Sequence, residues 1–373
     1  MLGGGGTCVV SHMHSDDRVN DASIRTSAAQ PAGRPGVEGF PYGSGPALEA
    51  VEATMLRIVR GTTPDLASEM VEEHLMAGGK RMRARIALAA LQHLGRVAEE
   101  GVAWAAACEL LHNATLIHDD AQDGDEFRRG RETVWKKYGV PQAINAGDLL
   151  QALAIRVVAC LKAPAPVKAD LCCALATAAE DAVRGQTLEM NLHRVASIDR
   201  RVWERAAEGK TGALFGLPVE GAALIADLGT DAAKRLARPF RQIGVLFQID
   251  DDLLDVYEAK GGRQAGNDIR EGKVSALVVE HLRIVPADRE WLFRILKLPR
   301  DKTPDEDVRE ALRRYRDQGA VDALLNRMRE LTTAIADDPV WRGRRELRDM
   351  AQALMGVAKG EVDRATGRAT EVR

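Results

Sequence analysis

The sequence predicts an all-α protein, a large helical bundle, and three observations carry that expectation. Aromatics make up only 4% of the 373 residues while Ala, Leu, Arg and Glu abound, a mix that favours helix over sheet. From Pro46 onward, apolar residues recur at spacings of three and four. Strand signals are almost absent, because β-branched runs are short and never alternate cleanly. Hydrophobic residues at 45% and charged residues at 29% are the proportions of a soluble globular protein. The formal net charge of −3 gives no sign of nucleic-acid binding. No apolar run approaches the roughly 20 residues needed to span a bilayer.

Residues 1–46 hold nine Gly and four Pro and show no apolar period, so a disordered tail is expected there. Its start, MLGGGGTCVVSHMHSDD, lacks the basic and apolar regions of a secretory signal. Met13 is an alternative initiator, and His12 and His14 read as surface histidines rather than a metal pair. Residues 47–373 read as a single helical domain. ALEAVEATMLRIVRG places Leu48, Val51, Met55, Ile58 and Val59 at helical spacing. ELLHNATLIHDD is apolar on most faces, as a central buried helix is. AINAGDLLQALAIRVVACL and DLCCALATAAEDAVRGQTLEMNL are long, Ala-rich and unbroken. Another long helix is expected from Asp231 to Tyr257, with Gly244 inside it. KAPAPVKAD, EAKGGRQAGND and LKLPRDKTPD mark joints through their Pro and Gly. The charged, amphipathic stretch from Arg313 onward reads as outer helices over the core. The five cysteines (Cys8, Cys108, Cys160, Cys172, Cys173) show no metal-binding spacing. Buried thiols in a reduced, cytoplasmic protein are expected.

The chemistry sits where apolar helices turn acidic. LLHNATLIHDDAQDGDEFRRG begins as an apolar helix and then carries Asp119, Asp120, Asp123, Asp125 and Glu126. Far downstream, FQIDDDLLD repeats the pattern. The first cluster reads Asp119-Asp120-x-x-Asp123 and the second Asp251-Asp252-x-x-Asp255. Residues four apart share a helix face, so Asp119 projects with Asp123 and Asp251 with Asp255. Like charges at that spacing repel, and something positive must compensate. Mg²⁺ takes one or two protein carboxylates and completes its shell with phosphate oxygens. A magnesium-bound phosphate is therefore the expected partner. One cluster alone could be a solvated helix end. Two copies of one spacing, each behind an apolar helix and ahead of basic residues, argue against that.

The basic residues add to this. AGGKRMRAR places Lys80, Arg81 and Arg83 just after paired glycines near a helix start, where amides, dipole and cations together bind anions. Arg128 and Arg129 follow the first acidic cluster. Lys210 and Thr211 stand in EGKTGALF, and Lys273 in REGKVSA. This GKT is not a phosphate-binding P-loop: the upstream glycine is missing and helix rather than strand precedes it.

On these motifs the chain resembles the trans-isoprenyl diphosphate synthases, also called polyprenyl synthetases, from about Ala47 to near its C-terminus. GGKRMRAR resembles the family's GGKRxRP. LIHDDAQDGDEFRRG resembles its first aspartate-rich motif, and KTGALF its KT segment. FQIDDDLLD and the following GRQAGNDIREGKVS resemble its second aspartate-rich motif and tail. Ordered motifs at suitable separations are far more specific than a lone DDxxD. There are departures: Ala84 stands where proline is usual, Arg263 where lysine is, and Ser275 where threonine is. Only Arg for Lys alters phosphate geometry.

The resemblance implies a helical bundle around a deep central cavity, usually in a homodimer. It implies about three Mg²⁺ per site, held by Asp119, Asp120, Asp123, Asp251, Asp252 and Asp255 against the diphosphate of an allylic substrate. Lys80, Arg83, His112 and Arg129 would hold isopentenyl diphosphate without metal. His112 on its own would pass for an ordinary helix histidine. Arg128, Lys210 and Lys273 would absorb the charge of the leaving diphosphate, and Thr211 and Gln248 would line the allylic site. The implied activity is elongation: the alkene attacks the allylic cation, a proton is lost, and one isoprene unit is added. Two alternatives are a terpene cyclase and a non-catalytic partner subunit. A cyclase needs no second diphosphate site, and a non-catalytic subunit would be expected to lose aspartates. In the family, a bulky aromatic four or five residues before the first aspartate stops the chain early. Here those positions are Thr115 and Ala114, both small, with Leu111, Cys108 and Trp104 deeper along the expected tunnel wall. The expected product is geranylgeranyl diphosphate or longer.

Overall fold

A computed structural model describes residues 40–61, 65–195, 199–257 and 265–365. The expected tail lies mostly outside them, as do Cys8, His12, His14 and Arg263. Phe40 is buried against Tyr42, with ring centroids 5.2 Å apart, so packed chain begins before Pro46.

The first helices are α1 (Pro46–Arg60), α2 (Leu66–Met76), α3 (Met82–His93), α4 (Val102–Asp123), α5 (Val134–Tyr138), α6 (Val140–Ala159) and α7 (Ala165–Met190). Then come α8 (Arg200–Ala207), α9 (Ala213–Ile225), α10 (Thr230–Tyr257), α11 (Asn267–Arg270) and α12 (Ala276–Ile284). The last are α13 (Arg289–Leu296), α14 (Asp305–Asp317), α15 (Ala320–Ala336) and α16 (Arg345–Ala365). Local chemistry sets many boundaries. Asp65 caps α2 by accepting from Ser68 N at 2.8 Å, and Asp199 caps α8 by accepting from Val202 N at 3.0 Å. Pro46 and Pro141 stand in first turns, where a missing N–H costs nothing. Gly124 ends α4 in the left-handed region at φ 70°.

α4 is the central buried helix expected, with Trp104 to Leu111, Ala114 and Ile117 inside. It packs on α1, α3, α6 and α9. α9 is buried on nearly all faces and lies among α3, α7 and α10. α10 packs on α9, α15 and α16. Neighbouring contacts thus run α3, α4, α6, α7, α9, α10, and the acidic ends of α4 and α10 reach one cleft. The outer α14 buries Val308, Ala311, Leu312 and Tyr315 on one face, as its period requires. Among the described residues no helix is long and apolar enough to cross a membrane.

Two features differ from expectation. Of the four described cysteines only Cys108 is buried; Cys160 and Cys173 are exposed and Cys172 is half-buried. Ala-rich α6 and α7 carry small apolar residues on both faces, so composition hides which side is outside. A hairpin also escaped the strand signals. β1 (Phe127–Arg128) and β2 (Arg131–Glu132) pair antiparallel, Phe127 with Glu132 and Arg128 with Arg131. Its turn residues Arg129 and Gly130 have φ of 53° and 78°, the signs a two-residue type I′ turn requires.

Candidate active site

A cavity of about 160 Å³ lies at the acidic cleft, lined by Glu189, Lys210, Gln248, Asp251, Asp252, Asp255, Asn267, Asp268 and Lys273. Lys273 spans to the first cluster, with Nζ 3.2 Å from Asp123 Oδ2 and 2.6 Å from Glu271 Oε2. Lys210 pairs with Glu189. Burial opposes the charge of Lys210, but Glu189 and Asp119 outweigh it and hold the ammonium above the ordinary lysine value. Burial likewise opposes Lys273, which Asp268, Asp123 and Glu271 hold well above that value. Thr211 Oγ1 donates to Gln248 Oε1 at 3.1 Å, and Gln248 Nε2 donates to Asp252 Oδ1 at 3.2 Å.

Close backbone packing delivers Lys210 and Thr211. Glu208–Gly212 forms a π turn between α8 and α9, a distortion common at functional sites. A Cβ on Gly185 would lie 2.2 Å from Lys210 N, and one on Gly244 would lie 2.5 Å from Gly212 Cα. Only glycine lets α7 and α10 press on the π turn this closely.

The six candidate metal aspartates are not equivalent. Asp120 is 2% exposed and turned to Arg128, whose Nε lies 2.7 and 2.9 Å from its two oxygens. Asp252 accepts from Ala276 N at 2.7 Å and so caps α12. Asp255 accepts from Asn267 N at 2.9 Å and Asp268 N at 3.2 Å. Burial pushes the Asp119 carboxyl up to about 6, against the pull of Lys210 and with repulsion from Asp123. Burial also pushes Asp252 up to about 7, and raises Asp255 and Asp268. The cleft therefore holds more carboxylate than its lysines neutralise. Among the described residues, no three His, Cys, Asp or Glu side chains converge closely enough to hold an ion alone. That donor set still fits Mg²⁺, which takes few protein oxygens and fills its shell from water and phosphate.

A second polar region adjoins the hairpin. Gly78 and Gly79 have φ of 80° and 148°, and a Cβ on Gly79 would sit 2.8 Å from the Arg129 guanidinium nitrogens. Arg83 stacks over the Phe215 ring, 4.6 Å from its centroid. Burial pushes the Arg83 guanidinium down to about 10, with Glu109 opposing, so it stays charged at neutral pH. Burial, with Arg83, Arg129 and Arg128 close by, holds His112 neutral, and its buried Nδ1 has no partner. Lys80 lies at the exposed edge of the loop. Arg81, in contrast, is buried: it donates to Glu52 at 3.1 Å and to Leu75 O at 2.8 Å, closing the end of α2. The Ala84 departure also has a use, since its N–H donates to the buried Glu109 carboxylate at 3.1 Å, a bond proline could not make.

The family model described as polyprenyl synthetase matches residues 64–315. The chain belongs to the polyprenyl synthetase family. It is 36% identical over 241 residues to the short chain isoprenyl diphosphate synthase of Methanocaldococcus jannaschii, covering 64% of this chain and 72% of the relative. It is 31% identical over 274 residues to the geranylgeranyl pyrophosphate synthase of Geoglobus acetivorans, covering 73% of this chain and 84% of the relative. The solved geranylgeranyl pyrophosphate synthetase of Pyrococcus horikoshii superposes with a TM-score of 0.73 at 28% identity, covering 85% of this chain and 95% of that one.

Two parts of this synthetase were not legible beforehand. Glu189, Asn267 and Asp268 line the cleft cavity, and Glu271 holds Lys273. Asn267, Asp268 and Glu271 lay within the GRQAGNDIREGKVS stretch without a role of their own, and the hint for Glu189 was polar Gln186 and Glu189 interrupting an Ala-rich helix, where Gln186 Nε2 donates to Gln122 Oε1 of α4 at 2.8 Å. The wall beside the cleft also differs from the one expected. A cavity of about 120 Å³ beside Lys210 is lined by Leu111, Thr115 and Asp119 of α4, together with Ala179, Ala182, Val183 and Met190 of α7. Ala114, Cys108 and Trp104 are instead packed in the core, and Trp104 Nε1 donates to Pro218 O at 3.1 Å.

Proposed function

We propose that this polyprenyl synthetase condenses isopentenyl diphosphate with an allylic diphosphate to make geranylgeranyl diphosphate or a longer trans-polyprenyl diphosphate. One observation carries the reading. A carboxylate-rich cleft that would take a metal-bound diphosphate lies near a cationic group, Arg83 and Arg129 beside neutral His112, that would take a second diphosphate directly. A cyclase acting on one diphosphate needs only the first, and a non-catalytic subunit needs neither cluster complete.

Asp119, Asp123, Asp251 and Asp255 would hold Mg²⁺, with Asp120 and Asp252 supporting from their bonds to Arg128 and α12. When bound, Mg²⁺ would offset the diphosphate charge and ease departure of the allylic group. Lys210, Lys273 and Arg128 take up the remaining negative charge as the carbon–oxygen bond breaks. The Thr211–Gln248 pair presents carbonyl and hydroxyl dipoles toward the developing cation. Arg83, Arg129, Lys80 and the His112 ring hold isopentenyl diphosphate so that its alkene faces that cation. The growing tail would run along Leu111 and Thr115, in the cavity that His118, Gln122 and Gln151 also line.

The same reading includes a homodimer. Ten large hydrophobics are exposed among the described residues, and five of them (Val140, Ile144, Ile155, Val183, Met190) lie on α6 and α7. Exposed apolar residues concentrated on two adjacent helices mark an interface. The same reading takes the site of action to be cytoplasmic, where an exposed thiol such as Cys173 stays reduced.

The test is elongation. Purified protein, Mg²⁺, labelled isopentenyl diphosphate and dimethylallyl, geranyl or farnesyl diphosphate should give products of geranylgeranyl length or longer by mass analysis. Failure to elongate any primer would overturn the activity, and products ending at farnesyl would overturn the length.

A further inference from the structure

Arg300 lies on neither acidic helix, yet it touches the chain beyond both. It opens a short turn (Arg300–Lys302) between α13 and α14. Its Nη2 donates to Asn267 Oδ1 at 2.8 Å. Its Nη1 lies 3.3 Å from Glu271 Oε1 and 3.5 Å from Asp125 Oδ1. Asp125 immediately follows the glycine that ends α4, and its backbone is pinned in turn. Its carbonyl accepts from Thr133 Oγ1 and Trp135 Nε1, both at 2.8 Å. On the other side, the Asn267 and Asp268 amides hold the Asp255 carboxylate. Glu271, only 4% exposed, holds Lys273, which reaches across to Asp123. The end of α13 seats on the same loop: a Cβ on Gly272 would lie 2.4 Å from Leu296 O.

We propose that Arg300 is a positioning residue that clamps the Asn267–Lys273 loop to the end of α4, and so sets the spacing of the two aspartate clusters and the place of Lys273. The guanidinium suits this task. Its planar fork reaches three oxygens on two segments at once, which a lysine point charge cannot do. It also shares Glu271 with Lys273. Without it, the buried Glu271 carboxylate would keep, among the described residues, the Lys273 ion pair and the Asn267 amide, and would draw that ammonium away from Asp123. The inference rests on the allylic-site roles proposed for these aspartates and Lys273, and Arg300 itself meets neither substrate.

The test is steady-state kinetics on the full-length enzyme with each substrate varied in turn. Arg300→Ala should lower kcat/KM for the allylic substrate by about 10–100-fold, the usual cost of losing a partner behind a metal-site residue. KM for isopentenyl diphosphate should stay within about twofold, because Arg83, His112 and Arg129 are untouched. Arg300→Lys should recover only a minor part of the loss. In a double-mutant cycle with Glu271→Gln, the two losses should fall short of additive, since each acts through Lys273. Unchanged kinetics would overturn the proposal. So would additive losses, or a fall shared equally by both substrates and tracking a lower Tm. A wild type lacking Mg²⁺-dependent elongation would overturn the site reading and this inference with it, whereas an active wild type with an indifferent Arg300→Ala variant overturns this inference alone.

Discussion

Asp119 sits in a place that disfavours its own charge. Its carboxyl rises from 3.8 to about 6, first because it is buried. A carboxyl raised on folding makes the native state bind more protons between those two values. Stability then falls as pH rises through that window, and the penalty is complete above about 6. A rise of this size corresponds to about 3 kcal/mol. Asp119 is mostly covered but keeps some surface in water, and solvent screening cuts this to about 1–2 kcal/mol. In metal-free buffer at pH 7.5, Asp119→Asn should therefore be more stable than the wild type by that amount. The gap should close as the pH approaches 4, while turnover with Mg²⁺ falls by orders of magnitude. Denaturation with a chelator across pH 4–8 checks this, and a variant no more stable at pH 7.5 refutes it. The cations divide in the same way. Lys80→Ala and Arg83→Ala should chiefly raise KM for isopentenyl diphosphate, whereas Lys210→Ala should damage kcat or the allylic KM. Equal effects on both substrates would show the partition to be wrong.

At the scale of elements, α4 would, on the proposed reading, serve two ends of one amphiphilic substrate. Its last turn is acidic, and the turns before it present Leu111 and Thr115 to the cavity shared with α7. These positions and Asp119 are four apart, the spacing of one helical stripe. Ala114 lies off that stripe and is 0% exposed. Thr115→Phe should thus shorten the product toward farnesyl length. Ala114→Phe should instead overpack the core and destabilise the fold by about 1–3 kcal/mol without a matched shortening. Product masses together with chemical denaturation separate the two outcomes. A well-folded Thr115→Phe enzyme with an unchanged product range would remove Thr115 from the tunnel.

At the scale of the molecule, the cavity proposed for the tail and the exposed apolar face share a wall. Val183 and Met190 belong to both. A second copy docking on α6 and α7 would cover that wall. Ile144→Asp combined with Val183→Asp should convert the proposed dimer to monomer by light scattering, and should broaden the range of product lengths as the wall opens to water. A wild type that is already monomeric, or a variant that remains dimeric, would remove this face as the interface.

Helices, joints and both aspartate clusters were legible because they depend on neighbours within a few residues. Helical period, proline and glycine chemistry, and repulsion between acids four apart are all local. The same holds for the motifs around Gly79, Lys210 and Lys273. What the sequence left open was how each helix is rotated about its axis. A step of about 100° per residue relates Ala114 to Thr115 and Asp119 to Asp120, but does not say which one meets the cavity. Packing decided that: Asp120 turned to Arg128, Arg81 into the core, Arg83 onto Phe215, and Cys160 and Cys173 outward. Glu189 and Arg300 were invisible for a related reason. Their roles come from contacts between segments far apart in the chain, which exist only once glycines such as Gly185, Gly244 and Gly272 have let the backbones close on one another.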